Sequence, residues 1–168
     1  MHPGGNIIRI TPTISATAYD AADVLFLTTE IPNAVGSRGG VSLLRAVSYI
    51  GHHDATDDIN LVFMENSKDL IGTLSPGSSG GPTISEANVE AANMIGHVIV
   101  DTSTNIVDLG NSRLYTTGMG NSAALQFPIL LKAAEGSTSV YVGGICDDAQ
   151  DYSAVDDLTL IFHVEYLS

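Results

Sequence analysis

The feature that most constrains the fold is a two-residue hydrophobic period near the C-terminus. Between Asp157 and Tyr166, Leu158, Leu160, Phe162, Val164 and Tyr166 share one face, while Thr159, Ile161, His163 and Glu165 share the other. Side chains alternate across a strand, so this run predicts a β-strand with one face in a core. Ile8 and Ile10, alternating with Arg9 and Thr11, predict an earlier short strand. The runs 24–29, 41–50, 59–64, 95–100 and 139–146 are rich in β-branched or aromatic residues and end in turn signals. Residues 113–117 form a weaker strand pattern. Residues 126–134 read as a strand because Pro128 is tolerated near a strand's first residues.

One short helix is expected. Ser85 can cap a turn that begins at Glu86, whose charge suits the positive helix end. Val89 and Ala92 would then face inward, with Asn88, Glu90 and Asn93 toward solvent. Glycine-rich connectors at Gly36–Gly40, Ser75–Pro82 and Gly110–Asn121 separate the elements. About eight strands at this spacing, without strand–helix alternation, predict an all-β antiparallel sandwich or barrel. With 168 residues, the whole of 1–168 is expected to be one domain, with a short N-terminal arm over about 1–13.

Charge excludes several functions. Six Lys and Arg against 19 Asp and Glu give a net charge of −13, although only 15% of residues are charged. Binding nucleic acid through its phosphates needs clustered cations, and so does adsorption to an anionic membrane. Neither partner is expected. Cys146 is the single cysteine, so no internal disulfide and no thiolate zinc site can form. No apolar run approaches the roughly 18 residues of a membrane helix. Residues 1–6 lack the pattern of a secretion signal. The expectation is a soluble protein made in a reducing cytoplasm.

The segment Gly77-Ser78-Ser79-Gly80-Gly81-Pro82 resembles the serine motif of chymotrypsin-like proteases, with His53 and Asp54 or Asp58 as conceivable partners of Ser79. Ser78 replaces the usual aspartate, and His53 is too close in sequence for that fold. A small-residue loop whose glycines permit sharp turns is the better reading of the segment. His52 and His53 point to opposite faces of a continuing strand, and no metal-binding spacing joins them to His97 or His163. Acidic clusters at Asp54, Asp57, Asp58 and at Asp147, Asp148, Asp151, Asp156, Asp157 offer oxygen ligands suited to Ca²⁺. Neither follows the spacing of a calcium loop, and solvated turns explain both. Lys68 and Lys132 are the only lysines, and no phosphate loop is present. The absence of Trp disfavours a sugar-stacking cleft. Neither an enzyme nor a cofactor is expected.

Four segments carry a family resemblance. ITPTISATAYDAADVL (10–25) is an opening strand that turns into a second. SRGGVSLLRAVSYIGHHDATDDINLVFMEN (37–66) is a strand, an acidic turn and a strand. ISEANVEAANMIGHVIV (84–100) is a capped helix feeding a strand. LLKAAEGSTSVYVGGICDDAQDYSAVDDLTLIFHVEYL (130–167) closes with a hairpin and the "DDLTL" strand. In this order they resemble the small auxiliary, or cement, proteins that decorate capsids of tailed bacteriophages. Two departures are the glycine-rich insertion Ser75–Pro82 and the turn bearing His52 and His53.

The resemblance implies a jelly-roll-like sandwich that forms a homotrimer on the capsid exterior, where capsomers of the major capsid protein meet. It implies no catalytic residues. For interaction it offers the N-terminal arm: Asn6, Ile7, Ile8, Arg9, Ile10, Thr11, Pro12 and Thr13. Pro12 and Pro32 would blunt strand edges. Other readings are a tail or fibre head domain that touches the host, a sandwich hydrolase using Ser79, and a carbohydrate-binding sandwich. Fibre domains usually follow a long repetitive shaft, and none is seen before Ile7. Under the capsid reading, acidic turns should gather on exposed parts, and the contact side should be poor in acid.

Overall fold

The computed structural model describes residues 4–52, 58–67, 81–82, 85–103, 106–118 and 127–167. They form β1 (Gly5–Ile10), β2 (Ala18–Tyr19), β3 (Val24–Ile31), β4 (Val41–Gly51), β5 (Ile59–Met64), α1 (Glu86–Ala92), β6 (Met94–Val100), β7 (Ile106–Asp108), β8 (Arg113–Gly118), β9 (Ile129–Lys132), β10 (Val140–Cys146), β11 (Gln150–Asp151) and β12 (Leu158–Tyr166). All strand pairings are antiparallel. The molecule is an all-β sandwich with one short helix, as the alternation predicted.

One sheet runs β1-β12-β4-β8-β7, with β9 also on β4; the other runs β3-β10-β5-β6. β8 covers Ala46–Gly51 of β4 and β9 covers Val41–Leu44, in the same direction. Together they make one strand position interrupted by residues 119–128. Counting them as one, the eight principal strands stack as first, eighth, third and sixth against second, seventh, fourth and fifth. That is jelly-roll topology, two interlocked Greek keys. The expectation of about eight strands therefore fits the principal positions. The broken sixth strand and the small pieces β2, β7 and β11 bring the described total to about a dozen.

The inner faces of both sheets share one core, with Leu44, Val47 and Tyr49 of β4, Leu158 to Val164 on alternate positions of β12, and Ile59, Leu61 and Phe63 of β5. Phe63 and Phe162 meet edge to face across the sheets at 5.9 Å, a favourable quadrupole geometry. A second, small cluster of Val24, Met64 and Ala92 lies on the outer side of the four-stranded sheet, beneath α1. The Ser85 side chain accepts the Asn88 N–H as expected, and the left-handed Asn93 ends the helix. Of the two residues predicted inward, only Ala92 is buried; Val89 is 36% exposed, because a helix this short docks through its last turn.

The N-terminal segment needs a correction. Residues 5–10 are not an arm but the edge strand β1, registered from Gly5↔Glu165 to Ile10↔Leu160 on β12. Ile8 and Ile10 are drawn into the core by the same alternation that marks β12. Beyond it, the Ile14 N–H donates to Val155 O at 3.1 Å, which fixes the chain against the opposite turn.

Candidate interaction face

The outer surface of the β1-β12-β4-β8-β7 sheet is set by register. Ile7 and Arg9 on β1 stand beside His163 and Ile161 on β12. These in turn flank Ala46 and Ser48 on β4, then Gly118 and Thr116 on β8. A further row runs Thr159, Ile50, Leu114 and Val107. The result is a face of mainly apolar and small neutral side chains with Arg9 and His163 among them, in which Ser48, Thr159 and Ile161 are buried. Ile7 is 67% exposed and Val107 52%, the two opposite margins.

Ser48, His163, Arg45 and Glu165 on this face have partners. Ser48 Oγ shares hydrogen bonds with Thr116 Oγ1 at 2.9 Å and His163 Nε2 at 3.3 Å. Arg45 is an extra residue on β4, at a register shift between Ala46↔His163 and Leu44↔Val164. Such a bulge re-aims a side chain. Here Arg45 Nε donates to Glu165 Oε2 at 2.6 Å, with Nη2 at 2.5 Å. Groups satisfied in this way lose little when water is removed from the face.

Carboxylates are sorted by position. Among the described residues, Glu165 is the only acid in the register of the outer face, and Arg45 holds it. Every described aspartate (Asp20, Asp23, Asp58, Asp101, Asp108, Asp147, Asp148, Asp151, Asp156 and Asp157) lies in or beside the turns at one end, where β4 stops and β12 begins. The glutamates lie toward the other end. A reason is local: an aspartate side chain is short enough to accept from backbone one to four residues away. Asp157 Oδ2 accepts from Ser153 N, Ser153 Oγ and Ala154 N, each at 2.8 Å. Asp108 Oδ1 accepts the Gly110 N–H at 2.7 Å. Asp58 Oδ1 accepts both Thr102 N and Oγ1 at 2.7 Å, tying two turns together. Sequence inspection found the acidic clusters but not this segregation, which depends on strand direction.

The eight residues offered for interaction do not act as one group. Ile7 and Arg9 belong to the outer face, whereas Ile8, Ile10 and Pro12 are buried. Asn6 Nδ2 donates to Tyr166 Oη at 2.9 Å. Thr11 and Thr13 are exposed, and Thr11 Oγ1 lies 3.4 Å from Thr159 Oγ1. Ser79, His53, Asp54 and Asp57 lie outside the described residues; Asp58 is engaged by Thr102.

Clefts occur at this sheet's end and beside α1 on the other sheet. One, of about 320 Å³, is lined by Thr11, His52, Asp156, Asp157 and Thr159. Within it His52 Nε2 lies 3.2 Å from Thr159 Oγ1, but Thr159 is only 6% exposed. The other, of about 360 Å³, lies by the end of α1 and includes Glu65, Ala134 and Tyr141. Among the described residues, no three His, Cys, Asp or Glu side chains are grouped to hold a metal ion. Burial raises the Tyr19 hydroxyl above its ordinary 10.0, opposed by the Ser15 N–H that it accepts at 2.6 Å. That tyrosine pairs edge to face with Tyr152 in the core, away from any cleft described here.

The fold and this face define a jelly-roll protein whose outer sheet surface is poor in acid among the described residues. No protein-family model matches the chain, and no curated protein matches it. Among solved structures, a chain from "Structure of deformed wing virus carrying the GFP gene" is similar at a TM-score of 0.37 and 10% identity, over 95% of this chain and 74% of that one. A likeness that distant carries no functional conclusion.

Proposed function

We propose that this chain is a structural protein of a virion: a decoration, or cement, protein without enzymatic activity or cofactor. In this reading it forms a homotrimer on the capsid exterior and braces contacts between capsomers of the major capsid protein. It is made in the host cytoplasm and engages neither nucleic acid nor membrane. A fold does not assign a function by itself. The observation that carries the reading is the outer sheet face, on which Glu165, held by Arg45, is the one acid among the described residues, in a chain of net charge −13. Such a face suits binding by area rather than by a pocket. Many copies on one shell would add modest contacts into a large total. The four sequence segments and the jelly-roll strand order support the same reading.

The test is direct. Purified protein is mixed with expanded, undecorated heads of a tailed phage, sedimented, and the heads are challenged with heat and chelator. Saturable co-sedimentation with raised resistance is expected. Failure to bind, or binding without added resistance, refutes the cement role.

A further inference from the structure

We infer that β7 is a strand-addition site: its open edge takes an extended, aliphatic and cationic segment of another protein into the sheet by backbone pairing. The inference stands on the edge itself and goes beyond the virion reading, which concerns the outer face.

The hydrogen-bond pattern of the β7–β8 hairpin defines the edge. β7 pairs with β8 from Ile106↔Tyr115 to Asp108↔Arg113, and among the described residues no strand lies on its other side. The Leu109 N–H donates to Ser112 O at 2.9 Å, so these two are a hydrogen-bonded pair that closes the turn Gly110-Asn111. Bonded and non-bonded pairs alternate along an antiparallel ladder. Val107 therefore bonds to Leu114, while Ile106 and Asp108 turn their N–H and C=O groups away from β8. Among the described residues, no hydrogen bond reaches those groups. They stand two residues apart, about 6.8 Å, the repeat of an extended chain and not of a helix. Unpaired groups at that spacing are a template for another strand.

The side chains at this edge are aliphatic, and the usual guards are missing. Ile106 is 40% exposed, Val107 52% and Leu109 60%. β7 holds no lysine, arginine or proline. The opposite edge strand, β1, carries Arg9 and is followed by Pro12, and both residue types deter pairing.

Charge chooses the partner. Asp108 lies on β7, Asp101 is exposed shortly before it in sequence, and Arg113, opposite Asp108, is the one cation of the hairpin. A second β7 would supply a further aspartate and no cation. Antiparallel addition sets one partner residue beside each of Asp108, Val107 and Ile106, and such cross-strand pairs favour opposite charge and matched aliphatics. The segment that fits is a lysine or arginine followed by two aliphatic residues.

The probe is a short capped peptide of lysine-valine-valine repeats, added to the isotope-labelled full chain at about 0.15 M salt, where long-range attraction is screened. Amide shifts and exchange are read by NMR. At about ten times its dissociation constant, the peptide should slow exchange at Ile106 and Asp108 about tenfold. Val107, whose N–H Leu114 already holds, should change far less. Ile106→Pro deletes one outward N–H where an edge strand tolerates proline, and should weaken the peptide about fivefold or more. Ile106→Ala trims the same side chain, keeps the N–H and should weaken it less. Unchanged cross-peaks away from the hairpin establish that both variants fold.

A peptide N-methylated at its valines keeps the charge, lacks those donors and should protect neither amide. Equal binding of the two peptides, or an alanine variant as weak as the proline variant, means that charge or side-chain contact alone holds the peptide. Either result overturns strand addition. Protection of Ile106 and Asp108 that rises with protein concentration and without peptide gives the edge to a second copy, and also overturns it. No protection at any peptide concentration refutes the inference as well, while binding to phage heads, measured separately, still decides the virion reading.

Discussion

Replacing Gly144 by alanine should destabilise the sandwich, and the structure says by how much. Gly144 sits in β10 where the register on β3 shifts, opposite Phe26. A Cβ there would lie 2.1 Å from Phe26 Cε1 and 2.5 Å from Cδ1. Carbon atoms prefer about 3.5–4.0 Å, so ring or strand must move by roughly 1.5 Å. Phe26 is fully buried and has no solvent to move into. Overpacking of this kind costs about 1–3 kcal/mol. Alanine's smaller unfolded-state entropy returns about 0.4–1 kcal/mol. The net loss is about 1–2 kcal/mol, which in a chain of this size lowers Tm by roughly 2–8 °C.

Gly96→Ala is the matched control, because its Cβ would meet Ile129 Cγ2 at an ordinary 3.7 Å. That variant should be neutral or slightly more stable. Thermal and urea melts of both variants, with Phe26→Leu combined with Gly144→Ala, complete the set. Leucine at position 26 should make the alanine less costly than it is beside phenylalanine. Equal melting of the two glycine variants, or no coupling to position 26, would refute the reasoning.

Three other outcomes are expected. Asp157→Ala strips the acceptor from Ser153 N, Ser153 Oγ and Ala154 N; urea melts should show a loss of about 2–3 kcal/mol, with Asp157→Asn intermediate. Tyr19 has a folded pKa raised above 10.0 by burial, so its contribution is complete below about pH 10 and lost as pH rises through the folded value. Stability measured from about pH 8 to pH 11 should fall at the alkaline end, and Tyr19→Phe should make that fall shallower. Ser85→Ala removes the cap of α1 and should cost about 1 kcal/mol, visible as faster amide exchange at Asn66, whose N–H donates to Ala92 O.

Much of the sandwich was legible because alternation is a strong signal wherever one face is buried. β12 begins within one residue of the expected position, and β9 falls inside the ambiguous 126–134 run despite Pro128. The division of one strand position between β8 and β9 was not legible, since it is fixed by both pieces pairing with the long β4. The alternation of Ile8 and Ile10 marks the edge strand, although the arm implied by the resemblance runs across the same residues. Its alternation alone does not say that β12 is the partner. Charge sorting was hidden for a related reason. Residues as distant as Asp20, Asp101 and Asp156 share an end only because strand directions bring their turns together. Among the described residues, Glu165 is the one acid in the register of the outer face, and it stands beside Arg45. What that face meets was never encoded in local pattern.

The central claim, attachment to the outside of a shell, is tested most directly by electron cryomicroscopy of expanded heads with and without the purified protein. The expected difference map shows three sandwich-sized densities around each occupied site on the outer surface, at junctions between capsomers. Difference density confined to the tail, or none at saturating protein, would contradict it.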